Sequence, residues 1–169
     1  MFVRPPEINV RSLGFMPERS LAVLNRNKDV ALILEENSKR FAVFLSSKNL
    51  SAFDSFECTG NKHWNGFFIS EVAIEIDITS VSFESTSKFG FINTSDGSID
   101  LLVNIKGDGV SDGHSIPISR GGEVTKQALS FSKWRVIRRT DKEPIVLATV
   151  DGGIVDLVAL APLGQHLTP

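Results

Sequence analysis

The segment ISEVAIEIDITSVSFE, residues 69–84, repeats with a period of two. Val72, Ile74, Ile76 and Ile78 alternate with Glu71, Ala73, Glu75, Asp77 and Thr79. Successive side chains of a strand point to opposite faces, so this spacing predicts a half-buried strand, apolar on one side and acidic on the other. Beyond it the phase flips. Val81 and Phe83 carry the apolar series onto odd numbers, as a bulge near Thr79-Ser80 would produce.

The same strand signal recurs along the chain. LAVLN (21–25) and VALILE (30–35) flank Arg26-Asn27-Lys28-Asp29 and predict a hairpin, and RFAVFLS (40–46) follows after Asn37-Ser38-Lys39. PIVLATV (144–150) and IVDLVALA (154–161) flank Asp151-Gly152-Gly153, whose residues tolerate the positive φ that tight hairpins require. SIDLLVNI (98–105) and HSIPIS (114–119) are further strands, the second at an edge because Pro117 has no N–H for a ladder. VTKQALSFSKWRVIRR (124–139) fits neither period cleanly and reads as a bent strand. The Ser- and Thr-rich residues 79–98, punctuated by Phe83, Phe89 and Phe91, read as strands and turns. Helix is scarce: Leu50, Phe53 and Phe56 lie three apart, which marks one short candidate from Ser47 to Phe56. About ten short strands at this spacing predict an all-β chain, a single-domain antiparallel β-sandwich or partly open barrel with at most one or two short helices. The domain would span 1–169, with 1–6 and 163–169 as extended or frayed tails.

Totals exclude several classes of function. Of 169 residues, 41% are hydrophobic and 22% charged, the balance of a chain able to bury one sizeable core. The net charge of −2 supplies no positive field to draw in nucleic acid or anionic lipid. No run approaches the roughly 18 apolar residues of a membrane helix. The single Cys58 cannot close an intramolecular disulfide, and MFVRPPEINV places a Pro-Pro pair where a signal peptide needs its apolar centre, so a reducing, cytoplasmic setting is expected.

KGDGVSDGH (106–114) carries the densest set of chemical spellings. Gly109 to Gly113 matches the G-x-S-x-G turn of serine hydrolases, with Ser111 as nucleophile. That turn needs a helix after the strand, whereas HSIPIS follows at once, and only His166 lies downstream as a base. Asp108 and Asp112 half-spell a calcium loop, but counting from Asp108 puts Val110 where an oxygen ligand is required and Ser119 where a bidentate Glu is required. A tight loop between strands is the simpler reading, with His114 solvated beside it. Cys58 and His63 are too few to hold zinc, and His63-Trp64 in GNKHWNG reads as a turn with an aromatic anchor. No metal and no cofactor is expected. Glu75 and Asp77 lie roughly 7 Å apart along one strand face. They would not face each other across a sugar, as glycosidase carboxylates must.

Two charged surfaces remain. Glu71, Glu75 and Asp77, with Glu84 close by, form an acidic stripe suited to a basic partner. Lys133, Trp134, Arg135 and Arg138 in KWRVIRR form a rival basic surface, which reads as an edge strand kept from aggregating by its cations. An interleaved tryptophan is also a mark of nucleic-acid surfaces, but nucleic acid is not the partner expected of a net acidic chain. The expectation is a non-enzymatic, cytoplasmic protein-binding module that needs no small molecule and meets no membrane. Its concrete form is an immunity-type protein that occludes a basic toxin domain. The alternatives are a structural component of a viral or phage particle, and a small hydrolase using Ser111.

Overall fold

The structure, a computed structural model, describes residues 9–24, 28–51, 53–83, 90–93, 99–105, 112–117, 128–152 and 154–158. Within them the chain forms fourteen strands and, in place of helices, two isolated 3-10 turns. In chain order the strands are β1 (Asn9–Ser12), β2 (Ser20–Leu24), β3 (Val30–Glu36), β4 (Lys39–Ser46), β5 (Asp54–Glu57), β6 (Asn65–Ile69), β7 (Val72–Ile76), β8 (Gly90–Asn93), β9 (Ile99–Ile105), β10 (Asp112–Pro117), β11 (Ala128–Ser130), β12 (Lys133–Arg138), β13 (Ile145–Asp151) and β14 (Ile154–Asp156). The all-β expectation holds. The strand number exceeds the ten marked in the sequence because β1, β5, β6 and β8 are only four or five residues long, too short to show a period.

Two sheets result. The large one runs β1-β6-β2-β3-β4-β5-β9-β8-β11, with β10 paired to β9, and the small one runs β14-β13-β12-β7. All pairings are antiparallel except a short parallel register of β5 with β9, Asp54 opposite Asn104. The sheets face each other across one apolar cluster. Leu21, Val23, Leu32, Leu34, Val43 and Phe67 come from the large sheet, and Val72, Trp134, Val136, Ala148 and Val150 from the small one. The opposite face of the large sheet is buried too. Ala22, Ile33 and Phe44 pack there against Leu13, Met16 and Cys58, with Trp64 and Phe56 at the margin.

Turn chemistry sets the register. Asn37 and Ser38 both adopt positive φ, 50° and 64°, so Glu36 pairs with Lys39 across a two-residue turn of the twist that suits a hairpin. Gly152, at φ 59°, likewise lets Asp151 pair with Ile154. The chain changes sheets three times, and two of the changes are tight corners. At Ser70-Glu71, with Glu71 at φ 58°, it passes from β6 into β7. At Phe131-Ser132 it passes from β11 into β12, which is the bend predicted for 124–139.

Two local expectations are corrected. Ser47 to Phe56 is not a helix: Ser47 Oγ accepts the N–H groups of Asn49 and Leu50, and Asp54 Oδ2 accepts that of Ser51. These side chains supply the backbone with non-helical partners. Phe53 then takes φ 66°, and β5 begins. The phase change after β7 is a 3-10 turn at Ile78–Ser80 rather than a bulge.

Candidate functional site

Two members of each charged surface marked in the sequence, Glu75 with Asp77 and Lys133 with Arg135, meet at the small sheet as neighbours. β7 and β12 pair antiparallel, with Glu75 opposite Arg135 and Ile76 opposite Trp134. Ile74, Ile76, Trp134 and Val136 face the core, so Glu75, Lys133 and Arg135 stand on the outer face. The register continues across the sheet: Arg135 is opposite Thr149 on β13, which is opposite Asp156 on β14, while Lys133 is opposite Asp151. Charges of opposite sign therefore sit side by side. The Arg135 guanidinium donates from Nε to Glu75 at 2.7 Å and approaches the same oxygen through Nη2 at 2.6 Å. Lys133 Nζ lies 3.4 Å from Asp151. Each pair is about half exposed, and such pairs contribute about 0.2–1 kcal/mol.

Asp77 plays a different part. It follows the last residue of β7, donates its N–H to Lys133 O at 2.9 Å, and so closes the ladder. Its carboxylate accepts the hydroxyl of Thr79 at 2.7 Å and the N–H of Thr79 at 2.9 Å, which fixes the 3-10 turn. The Thr79 hydroxyl first and then its N–H hold the Asp77 carboxyl below the usual carboxylate range; desolvation opposes them, and the charge of Lys133 adds to them. Asp77 thus presents a fixed negative charge.

Between these residues lies a cleft of about 500 Å³, lined by Glu75, Asp77, Lys133, Arg135, Thr149 and Asp151 together with Ile76, Trp134 and Val150. Carboxylates outnumber cations there, Glu75, Asp77 and Asp151 against Lys133 and Arg135. Apart from Asp77, which the 3-10 turn holds, the walls are strand residues of a sheet whose reverse face is packed core, so the charges are held in place rather than tethered on loops.

The remaining sequence candidates are distributed as follows. Glu71 is exposed at the corner before β7, outside the ladder. Glu84 lies outside the described residues. Trp134 is 3% exposed and packs at 6.0 Å between ring centres from Phe53, so it cannot stack on a nucleobase. The reading of Trp134 as a surface aromatic is therefore corrected: it sits on the core parity of β12. Nor is β12 an edge strand, since β7 and β13 flank it. Arg138 is half-buried and paired in register with Val72 and Ile145.

Of KGDGVSDGH, residues 106–111, and with them Asp108 and Ser111, lie outside the described residues. Asp112 to His114 open β10, which pairs antiparallel with β9, so the element after the G-x-S-x-G spelling is a strand and not the helix of a nucleophile turn. His166 also lies outside the described residues. Cys58 is 1% exposed, and burial pushes its thiol from 9.0 up to about 11. In GNKHWNG, Asn61 Oδ1 accepts the N–H groups of His63 and Trp64, and Trp64 packs edge-on to Phe56 at 5.0 Å, the predicted turn with an aromatic anchor. Among the described residues no three His, Cys, Asp or Glu side chains come together as a metal site would need.

Residues 11–156 match a protein family described as "Uncharacterised protein y4lG". The chain belongs to that family. The match spans β2 to β14 and half of β1, so every residue of the cleft lies within the matched stretch. No curated protein and no solved structure matches the chain. Sequence reasoning missed Thr149 and Asp151, and it set the acidic and basic surfaces against each other as rivals. Glu75 and Arg135 are sixty residues apart in the chain, and no signal in a single sequence reports which distant strands pair.

Proposed function

We propose that the chain is a non-enzymatic, soluble protein-binding module of the cytoplasm, and that the outer face of its small sheet is the surface it offers. The observation that supports this best is the cleft of about 500 Å³, with Glu75 and Asp151 on rigid strands, Asp77 held at the cap of a 3-10 turn, and fewer cations than carboxylates. Charges fixed on strands need little ordering on association, and an excess of one sign steers a partner of the other. The partner is accordingly a protein with a basic surface, and an immunity-type protein that occludes a basic toxin domain is the concrete form of the proposal. No helix among the described residues is long and apolar enough to cross a membrane.

The test begins with a photo-crosslinking residue at Thr149, inside the cleft, to identify the partner in the native host. The association rate of that partner is then measured for the wild type and for Glu75→Lys with Asp77→Lys. Slower association in the double variant, most marked at low salt, is the expected result. An unchanged rate in a variant that still unfolds cooperatively would refute the docking face.

A further inference from the structure

β7 is the outermost strand of the small sheet: β12 lies on one side, and among the described residues no strand lies on the other. Its backbone groups divide by parity. Asp77 N–H bonds to Lys133 O, so Ala73 and Glu75, two and four residues back, direct their groups to β12 as well. Val72, Ile74 and Ile76 point theirs the other way. Val72 N–H is taken by Arg19 O at 3.1 Å at the corner. The N–H and C=O groups of Ile74 and Ile76 face away from the sheet. Both side chains are only half-buried, at the rim of the main core. Proteins commonly blunt such an edge with proline or lysine, and β7 contains neither.

From this edge we propose that β7 receives an extended segment of the partner as an added strand, with basic and apolar residues in alternation. The proposal rests on the docking face described above and specifies how it is engaged. Strand addition gives affinity through the main chain and specificity through alternate side chains. The apolar residues of the incoming strand would extend the core over Ile74 and Ile76, and its basic residues would lie on the outer face beside Glu75 and Asp77. A second copy of this chain fits poorly. Antiparallel self-pairing centred on Ile74 sets Glu71 against Asp77 across the seam, and centred on Glu75 it sets Glu75 against itself; like charges directly opposite are destabilising.

The probe is a capped synthetic peptide, Lys-Val-Lys-Val-Lys flanked by glycines, titrated into the full chain. Two controls accompany it: the same peptide N-methylated on alternate residues, and Glu-Val-Glu-Val-Glu. The lysine peptide should bind and slow amide exchange at Ile74 and Ile76. N-methylation along the seam should weaken binding at least about tenfold by deleting the main-chain donors, and the glutamate peptide should bind more weakly. Failure of the lysine peptide to bind, or binding without protection of those two amides, would overturn strand addition. So would binding that ignores N-methylation yet is lost in Glu75→Lys with Asp77→Lys, a result that would leave the docking face standing and remove only the added strand.

Discussion

In the middle of the large sheet, β2, β3 and β4 are buried on both faces; in the small sheet, β7 and β12 are buried on one. In the first region Leu21, Val23, Leu32 and Val43 fill the space between the sheets, while Ala22, Ile33 and Phe44 fill a second cluster behind them. In the second, Ile74, Ile76, Trp134 and Val136 meet the core while Glu75, Lys133 and Arg135 meet solvent. The contrast separates stability from recognition. A strand covered twice can only hold the fold together, whereas a strand covered once has a face to spare on a rigid support.

The comparison can be broken first at Phe44. It is fully buried, stacked on Phe56 at 5.4 Å between ring centres and 6.4 Å from Trp64. Phe44→Ala should cost about 3–5 kcal/mol, read by urea unfolding. A loss below 1 kcal/mol would show that the second cluster is not a packed core. Next is Gly14, in the 3-10 turn that covers this cluster. A Cβ there would strike backbone atoms of Asn61, Cys58 and Gly60, the last two at 2.6 Å, and rigid backbone cannot swing aside. Gly14→Ala should cost about 1–3 kcal/mol, with the loss visible as a lower Tm.

Cys58 gives the same cluster a pH signature. Its thiol is raised in the folded chain, so its contribution is complete below pH 9.0 and is lost as pH rises toward about 11, where the unfolded chain ionises first. Denaturant midpoints of the wild type should fall across that window relative to Cys58→Ala, and parallel curves would contradict the burial. The smallest effect is expected on the exposed face. A double-mutant cycle of Glu75→Ala and Arg135→Ala should return a coupling of about 0.2–1 kcal/mol. A coupling of several kcal/mol would mean that the pair is structural and would erase the contrast between the two regions.

How much was legible in the sequence follows the same divide. One-sided burial announces itself as alternation, so β7 and its acidic face could be read directly from Val72 to Asp77. Two-sided burial leaves an unbroken apolar run, and VALILE betrayed the strand β3 but not the second cluster behind it. Hairpins were legible where Asp151-Gly152 or Asn37-Ser38 supplied the turn. Short strands such as β5 were not, because four residues hold barely two turns of alternation and the Leu50, Phe53 and Phe56 spacing mimicked a helix. The site was half legible. Glu75, Asp77, Lys133 and Arg135 were all marked, but the register that joins them is set by non-local pairing of β7 with β12, and Trp134 was misplaced because the parity of β12 was unknown.

Among the described residues the small sheet ends at β7 and offers an open edge beneath a charged face. Amide hydrogen exchange of the free protein tests it residue by residue. The N–H groups of Ala73 and Glu75, bonded to β12, should exchange slowly, while those of Ile74 and Ile76 exchange fast. Uniform protection from Ala73 to Ile76 would contradict the account, since it would mean that another element already occupies that edge.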